Sequence, residues 1–457
     1  MSKATANFRT STTERFAFVL FMSGQTIFNQ FLNGYGQKFL TEAGLTAATI
    51  GTIFLATRIF DAVNDPIFGG IIDRAHLKGG KFLPWLRLSA VLLPILTVAL
   101  FCLPATLPAG GKITWAATFY VLYSVAYTIC DVPIFSMISA TTDSVQERVH
   151  IMSRNALGAA VVTLLIAAVV PNLYPVIGWN WTAAIMAAAA AALMVPMGRL
   201  GRERYVNRDP EKVTLKAMLR YLRGNRYLQL YFAGLFLLFS TSTTSQAGLF
   251  FADFNLGDPG QMTVITLVLA LPALLVVVGL PLLTRRLDKF RIFLVCVVGQ
   301  IVVSVVSYVA GYANTPVFYA LLAVRGVFWG GNAMMLGMFT SDFIEFGEFR
   351  TGKRLQGTAY SIQTFTSKVM TAVAGAIVMF WMARTGFVEG ADTVQSPATL
   401  AAIWELIALF PAFGAALSLV FLLRYDLRDK DVQLMARANG GEISRAEAEA
   451  QFSHPYR

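Results

Sequence analysis

Asp61 and Asp65 stand four residues apart in an apolar stretch that reads Thr57-Arg58-Ile59-Phe60-Asp61-Ala62-Val63-Asn64-Asp65-Pro66-Ile67-Phe68-Gly69. On a helix that spacing puts both carboxylates on one face, a turn apart. Two anions so placed repel unless a cation lies between them or one of them holds a proton. Asn64 adds a neutral oxygen beside them, and a hard cation asks for several oxygens and no thiol. The chemistry in view is capture of a small cation. A second reading gives Asp65-Pro66 to a gate or a capped turn near the end of the stretch.

Other polar groups interrupt other apolar runs. In Tyr127-Thr128-Ile129-Cys130-Asp131-Val132-Pro133 the hydroxyl of Thr128 and the carboxylate of Asp131 share a face, and Pro133 permits a kink. Gln25, Asn29 and Asn33 recur at four-residue spacing with Gln30 alongside. Amides both donate and accept, which suits a ligand rich in hydroxyls; hydrogen bonding between helices is the alternative. Arg154 opens a run in which it either reaches inward or snorkels to the interface. Gln363-Thr364-Phe365-Thr366-Ser367-Lys368 breaks another, and a buried lysine needs an acid, for which Asp61, Asp65 and Asp131 are the candidates. With 35 Phe in the chain, no single aromatic, Tyr127 and Trp329 included, stands out as a sugar-stacking platform.

The elements that must carry these groups are membrane helices. Of 457 residues, 56% are hydrophobic and 14% charged, against roughly 25% charged in soluble domains. Stretches of about 20 apolar residues give about twelve spans, near 16–37, 46–71, 84–106, 113–142, 151–174, 179–198, 227–251, 261–284, 292–313, 316–343, 355–384 and 398–424. Of the 37 Lys and Arg, only Lys38, Lys112 and Arg384 fall in odd-numbered loops, while Arg58, Arg154, Arg325 and Lys368 lie inside or at the edge of spans. By the positive-inside rule the remaining termini, loops and flanks are cytoplasmic. A plasma (cytoplasmic) membrane protein with both termini inside is expected. The net charge of +11 then reports topology rather than a nucleic-acid partner.

Cys102, Cys130 and Cys296 read as small buried hydrophobes. The first apolar run is too long for a signal peptide and lacks a cleavage site. His76, His150 and His454 lie outside the spans, so no histidine relay is expected. No zinc spacing, P-loop, G-x-S-x-G or dinucleotide fingerprint occurs in a fitting context. Neither an enzyme nor an ATP-driven pump is expected, and no cofactor beyond a coupling ion, Na⁺ or H⁺.

The basic stretch between spans six and seven divides the chain into six spans plus six: an N-terminal half (1–198), a linker (199–226), a C-terminal half (227–424) and a cytoplasmic tail (425–457). Gly69-Gly70-Ile71-Ile72-Asp73-Arg74 after span two is echoed by Gly279-Leu280-Pro281 and Arg285-Arg286-Leu287-Asp288 after span eight. Asp143 and Glu147-Arg148 after span four are echoed by Glu345, Glu348, Arg350, Lys353 and Arg354 after span ten. Two similar six-helix halves describe an all-α membrane protein of the major-facilitator fold, with substrate held near the midplane. In the tail, Glu442, Arg445, Glu447 and Glu449 have helical spacing.

The segment from Arg58 to Gly69 with Gly80-Lys81-Phe82-Leu83-Pro84-Trp85 resembles the signature of the glycoside-pentoside-hexuronide:cation symporters, a major-facilitator branch that includes melibiose permease. Asp342, Glu345-Phe346-Gly347-Glu348, Arg354, Tyr360-Ser361 and Gln363 through Lys368, and the run from Tyr127 to Pro133, resemble it as well. The resemblance implies a cation site of Asp61, Asn64, Asp65 and Thr128. It implies sugar binding by Asp131, Arg154 and Lys368, joined in our reading by Gln25, Asn29, Tyr127, Gln363 and Thr364. Asp73, Arg74, Asp143, Arg148, Asp342, Glu345 and Arg354 are expected to form a cytoplasmic gate. Gln25 stands where the melibiose carriers have an acid, and Ala333 where they use an aromatic, which departs from the α-galactoside pattern. The expected function is cation-coupled symport of a sugar or glycoside across the lipid bilayer by a functional monomer. An amphipathic lipid carrier or a sugar exporter of the same fold are the alternatives.

Overall fold

The computed structural model describes residues 9–75, 77–142, 144–205, 221–283, 287–352, 356–390 and 393–456. Regular structure among them is helical throughout, in two compact units. Eight helices among the described residues are long and apolar enough to cross a bilayer.

The first unit holds α1 (Thr12–Glu42), α2 (Ala47–Arg74), α3 (Leu83–Phe101), α4 (Ala109–Thr141) and α5 (Val145–Leu200). The start of α1 is fixed by a capping box: Ser11 Oγ accepts from Glu14 N at 3.1 Å, and Glu14 Oε2 from Ser11 N at 2.9 Å. At α2 and α5 the cap is one-sided: the side chains of Thr46 and Ser144 accept from Thr49 N and Glu147 N. The 56-residue α5 contains the fifth and sixth expected spans, separated only by Gly178 at φ 79° and ψ 164°. Those torsions are open to glycine and strained for other residues.

α1 packs along α5, α3 against α4 and α5, and α2 against α4. A close approach of α1 to α5 depends on Gly24, where a Cβ would stand 2.6 Å from the carbonyl oxygen of Ala190. Small residues at such crossings let backbones meet and gain van der Waals contact that lipid does not supply. The unit is not one continuous stretch of chain, since 252–263 and 386–395 cluster with it. Gly390 N donates to Thr41 O at 2.9 Å, Ala47 N to Glu389 Oε1 at 3.0 Å, and Thr263 Oγ1 to Ala167 O at 2.9 Å.

The second unit contains α6 (Arg226–Leu238), a 3₁₀ turn (Phe239–Ser242), α7 (Thr243–Phe250), α8 (Gln261–Leu283) from Val264 onward, α9 (Lys289–Ala310), α10 (Thr315–Thr351), α11 (Gln356–Arg384) and α12 (Pro397–Leu422). Its aromatic core includes Tyr231, Phe293, Phe339, Phe343 and Tyr425. Asp288 caps α9 through Phe290 N and Arg291 N. Two short helices follow, α13 (Asp429–Asn439) and α14 (Arg445–Ala450). The tail thus carries one helix more than its charge spacing indicates, and Val432, Leu434 and Met435 bury it against the core of the unit.

Candidate functional site

Three helices of the first unit, α1, α4 and α5, enclose a cavity of about 500 Å³. Amide, hydroxyl and carboxylate side chains punctuate its wall, from Gln25, Thr26, Asn29, Gln30, Tyr127, Asp131, Asn155 and Thr163, while Met22, Phe135 and Met152 help make up the larger, apolar share of its surface. Gln25 Nε2 donates to Asp131 Oδ1 at 2.6 Å, and Asn29 Nδ2 to Tyr127 Oη at 3.3 Å. Gln30 Nε2 donates to Thr163 Oγ1 at 2.9 Å. The structure therefore brings together Gln25, Asn29 and Asp131, picked out by type and spacing, with Tyr127, expected to bind sugar beside them.

Arg154 is placed elsewhere. The cavity-lining positions of α5 are 152, 155, 156, 159 and 163, the repeat of a single helical face. Arg154 lies about 100° off Asn155 around the helix, is exposed, and is not among the lining residues. Asn155 and Thr163 belong to the wall although the sequence reading gave them no part in binding, and Gln30, noted beside the amide stripe, joins them. Asn155 was legible in principle, because it shares the face of Ala159 and Thr163 while its charged neighbour does not.

On α2, Arg58 Nη1 stands 3.4 Å from Asp61 Oδ2, and Arg58 Nη2 donates to Asn33 Oδ1 on α1. One guanidinium thus ties a candidate cation ligand to the neighbouring helix, and Asn33 serves that tie. Asn64 is half-buried and its Nδ2 has no partner among the described residues. Thr128 is buried on α4, which packs against α2. The set offers carboxylate, amide and hydroxyl oxygens, the ligand types a hard monovalent cation or a proton requires. The side chains of Asp65 and Thr364 lie outside the described residues. Gln363 and Lys368 sit half-buried on α11 in the second unit.

The expected gate groups find mixed partners. Asp342 accepts from Lys289 Nζ with both oxygens at 2.7 Å, and Asp429 from the tail joins the same ammonium at 3.3 Å. Burial pulls the Lys289 ammonium towards neutrality, but the two carboxylates outweigh it and hold its pKa above the usual lysine value. Glu345 accepts from Asn439 Nδ2 of α13 at 3.1 Å, and Arg148 Nε donates to Thr142 O at 2.8 Å. Arg74 is exposed. The side chain of Asp73, and Asp143 and Arg354 entirely, lie outside the described residues. Lys289 and Asp429 were not singled out in the sequence, because their partners come from the distant α10 and the tail.

The sequence model of the family described as "MFS/sugar transport protein" matches residues 17–429. The glucuronide carrier protein homolog of Escherichia coli (strain K12) is 28% identical over 416 residues, covering 88% of this chain and 90% of its own. The isoprimeverose transporter of Lactiplantibacillus pentosus is 27% identical over 436 residues, with 93% and 90% covered. Among solved structures, the nucleoside transporter NupG superposes with a TM-score of 0.66 at 16% identity, covering 91% of this chain and all of that one. That likeness shows the major-facilitator fold. With a match extending over nearly the whole chain, this multi-pass membrane protein belongs to the MFS/sugar transport protein family and is a transporter, not an enzyme.

Proposed function

We infer that the chain is a cation-coupled symporter of a sugar or glycoside, working in the cytoplasmic membrane with both termini inside. The observation that carries this reading is the set of amide and hydroxyl side chains around Asp131 in a wall that also has apolar surface, which offers both donors and acceptors to a polyol and a face for its C–H groups. The names of the relatives, a glucuronide carrier protein homolog and an isoprimeverose transporter, point the same way.

Asp61, Asn64, Asp65 and Thr128 would take Na⁺ or H⁺, and Gln25, Asn29, Tyr127 and Asp131 the sugar; Gln363, Thr364 and Lys368 keep the binding role that the resemblance implies. Arg154 keeps it on the resemblance alone. Coupling requires that the cation change the affinity for sugar, typically by about 1–3 kcal/mol. One charge moving down 100 mV supplies about 2.3 kcal/mol, close to a 50-fold accumulation at about 1.4 kcal/mol per decade.

The test is counterflow of labelled sugars in proteoliposomes, across pentosides, hexosides and uronides, with and without Na⁺ at fixed pH. At least one sugar should exchange, faster with Na⁺ or at lower pH. No exchange of any sugar under any ionic condition would remove the reading.

A further inference from the structure

Asn155 lines the cavity from α5, yet only 4% of it is exposed. Its Nδ2 lies 2.7 Å from the thioether sulfur of Met22 on α1. Its Oδ1 has no hydrogen-bond partner among the described residues. A thioether accepts weakly and donates nothing, so it takes the NH₂ side of the amide and leaves the carbonyl side turned from it. A buried carbonyl oxygen without a donor costs about 1–3 kcal/mol. Asn155 lines the cavity although this oxygen is itself shielded, so the missing donor is one that a molecule entering the cavity can bring once the wall yields enough to admit its hydroxyl.

The neighbouring positions on the same face fit that purpose. Ala156 and Ala159 flank Asn155 on the lining face and leave room beside it. Phe135 and Met152 are 46% and 50% exposed and give the same cavity an apolar side. A pyranose has such an outline, with hydroxyls at its rim and C–H groups on its faces.

We propose that Asn155 is a specificity-determining residue of the sugar site, whose Oδ1 accepts one particular hydroxyl of the substrate while Met22 holds its amide in orientation. The proposal rests on the sugar-symport reading above. It assigns Asn155 to a single hydroxyl, distinct from whatever Asp131 contacts, and predicts discrimination against sugars that lack it.

The experiment measures competition binding to purified protein by the methyl glycosides of xylose, glucose, galactose and glucuronic acid and by the monodeoxy forms of each. Wild type, Asn155→Ala and Asn155→Leu are compared. Both variants should lose about 5- to 10-fold in affinity for a parent glycoside, the range of one neutral hydrogen bond. They should bind one of its monodeoxy forms as well as the wild type does, and that retained binding also shows that the variants are folded. Equal loss for the parent and every monodeoxy form, or no loss at all, overturns the proposal while leaving sugar transport standing. If none of these glycosides binds the wild type, the sugar reading and this proposal fall together.

Discussion

The amide nitrogen of Gln25 donates to Oδ1 of Asp131 across 2.6 Å, joining α1 to α4 at the cavity wall. A carboxyl group accepts through two oxygens, so the bond from Gln25 orients Asp131 and leaves it further acceptor capacity for sugar hydroxyls. Asp131→Asn should weaken sugar binding by about 10-fold or more, the scale of a hydrogen bond to a charged group. Gln25→Glu should do at least as much damage, since two carboxylates at that separation repel. Calorimetric titration of both variants with a transported sugar decides it, and unchanged affinity in both takes the pair out of the site.

Asp61→Asn should abolish cation-driven accumulation while leaving sugar exchange at equilibrium. Uphill uptake at the wild-type rate would falsify the cation assignment. Arg58→Lys should also impair uptake although it keeps the charge, because the guanidinium reaches Asp61 and Asn33 at once and a single ammonium lacks that fork. Proteoliposome uptake and counterflow, run in parallel, separate the two phases of transport.

Glu147 gives a pH dependence of stability. It is fully buried; burial alone would raise its pKa, but hydrogen bonds from Thr10 and Thr142 outweigh that and hold it below the ordinary glutamate value. Arg15 stands 3.7 Å away. A depressed folded-state pKa contributes stability that is whole above the unfolded value near 4.5 and is lost as pH falls through the lowered one. Glu147→Gln should therefore lower the melting temperature at pH 7, by an amount equivalent to roughly 2 kcal/mol. The gap from wild type should narrow below about pH 4, the acidic end of the carboxylate range. A gap that stays constant down to the lowest pH measured would show that the charge of Glu147 carries no part of the effect.

Lys38 is buried among Glu42 at 3.3 Å, Asp253, and the ring of Phe254, whose centroid lies 4.0 Å from its ammonium. Lys38→Met should cost about 3 kcal/mol or more, because it leaves two carboxylates facing each other without their cation. Adding Asp253→Asn should recover part of the loss. Thermal unfolding of the two single variants and the double variant gives the coupling energy directly, and strictly additive losses would show that the two residues do not interact.

The polar residues that line the cavity were largely legible because a helix inside lipid has few reasons to carry Gln25, Asn29 or Asp131. The helical character of the chain followed from long apolar runs of fixed length. What the sequence concealed depends on angle and on distant neighbours. By its type Arg154 either reaches inward or snorkels, and the resemblance gives it a binding role; its position around α5 is off the lining face, while Asn155 beside it lies on that face. The tie from Arg58 to Asn33 crosses between helices at a level that hydropathy does not record. The membership of 252–263 and 386–395 in the first unit is likewise a matter of tertiary contact, which linear division of the chain passes over.

Gly178 has a further consequence for α5. Nothing lies within 4 Å of the point where a Cβ would project from it, so crowding cannot be what reserves the position for glycine. At φ 79° the joint between the fifth and sixth spans selects chirality instead of bulk. An L-residue of any size meets the same torsional penalty, on the order of 1–3 kcal/mol, whereas a D-residue reaches positive φ as its ordinary state.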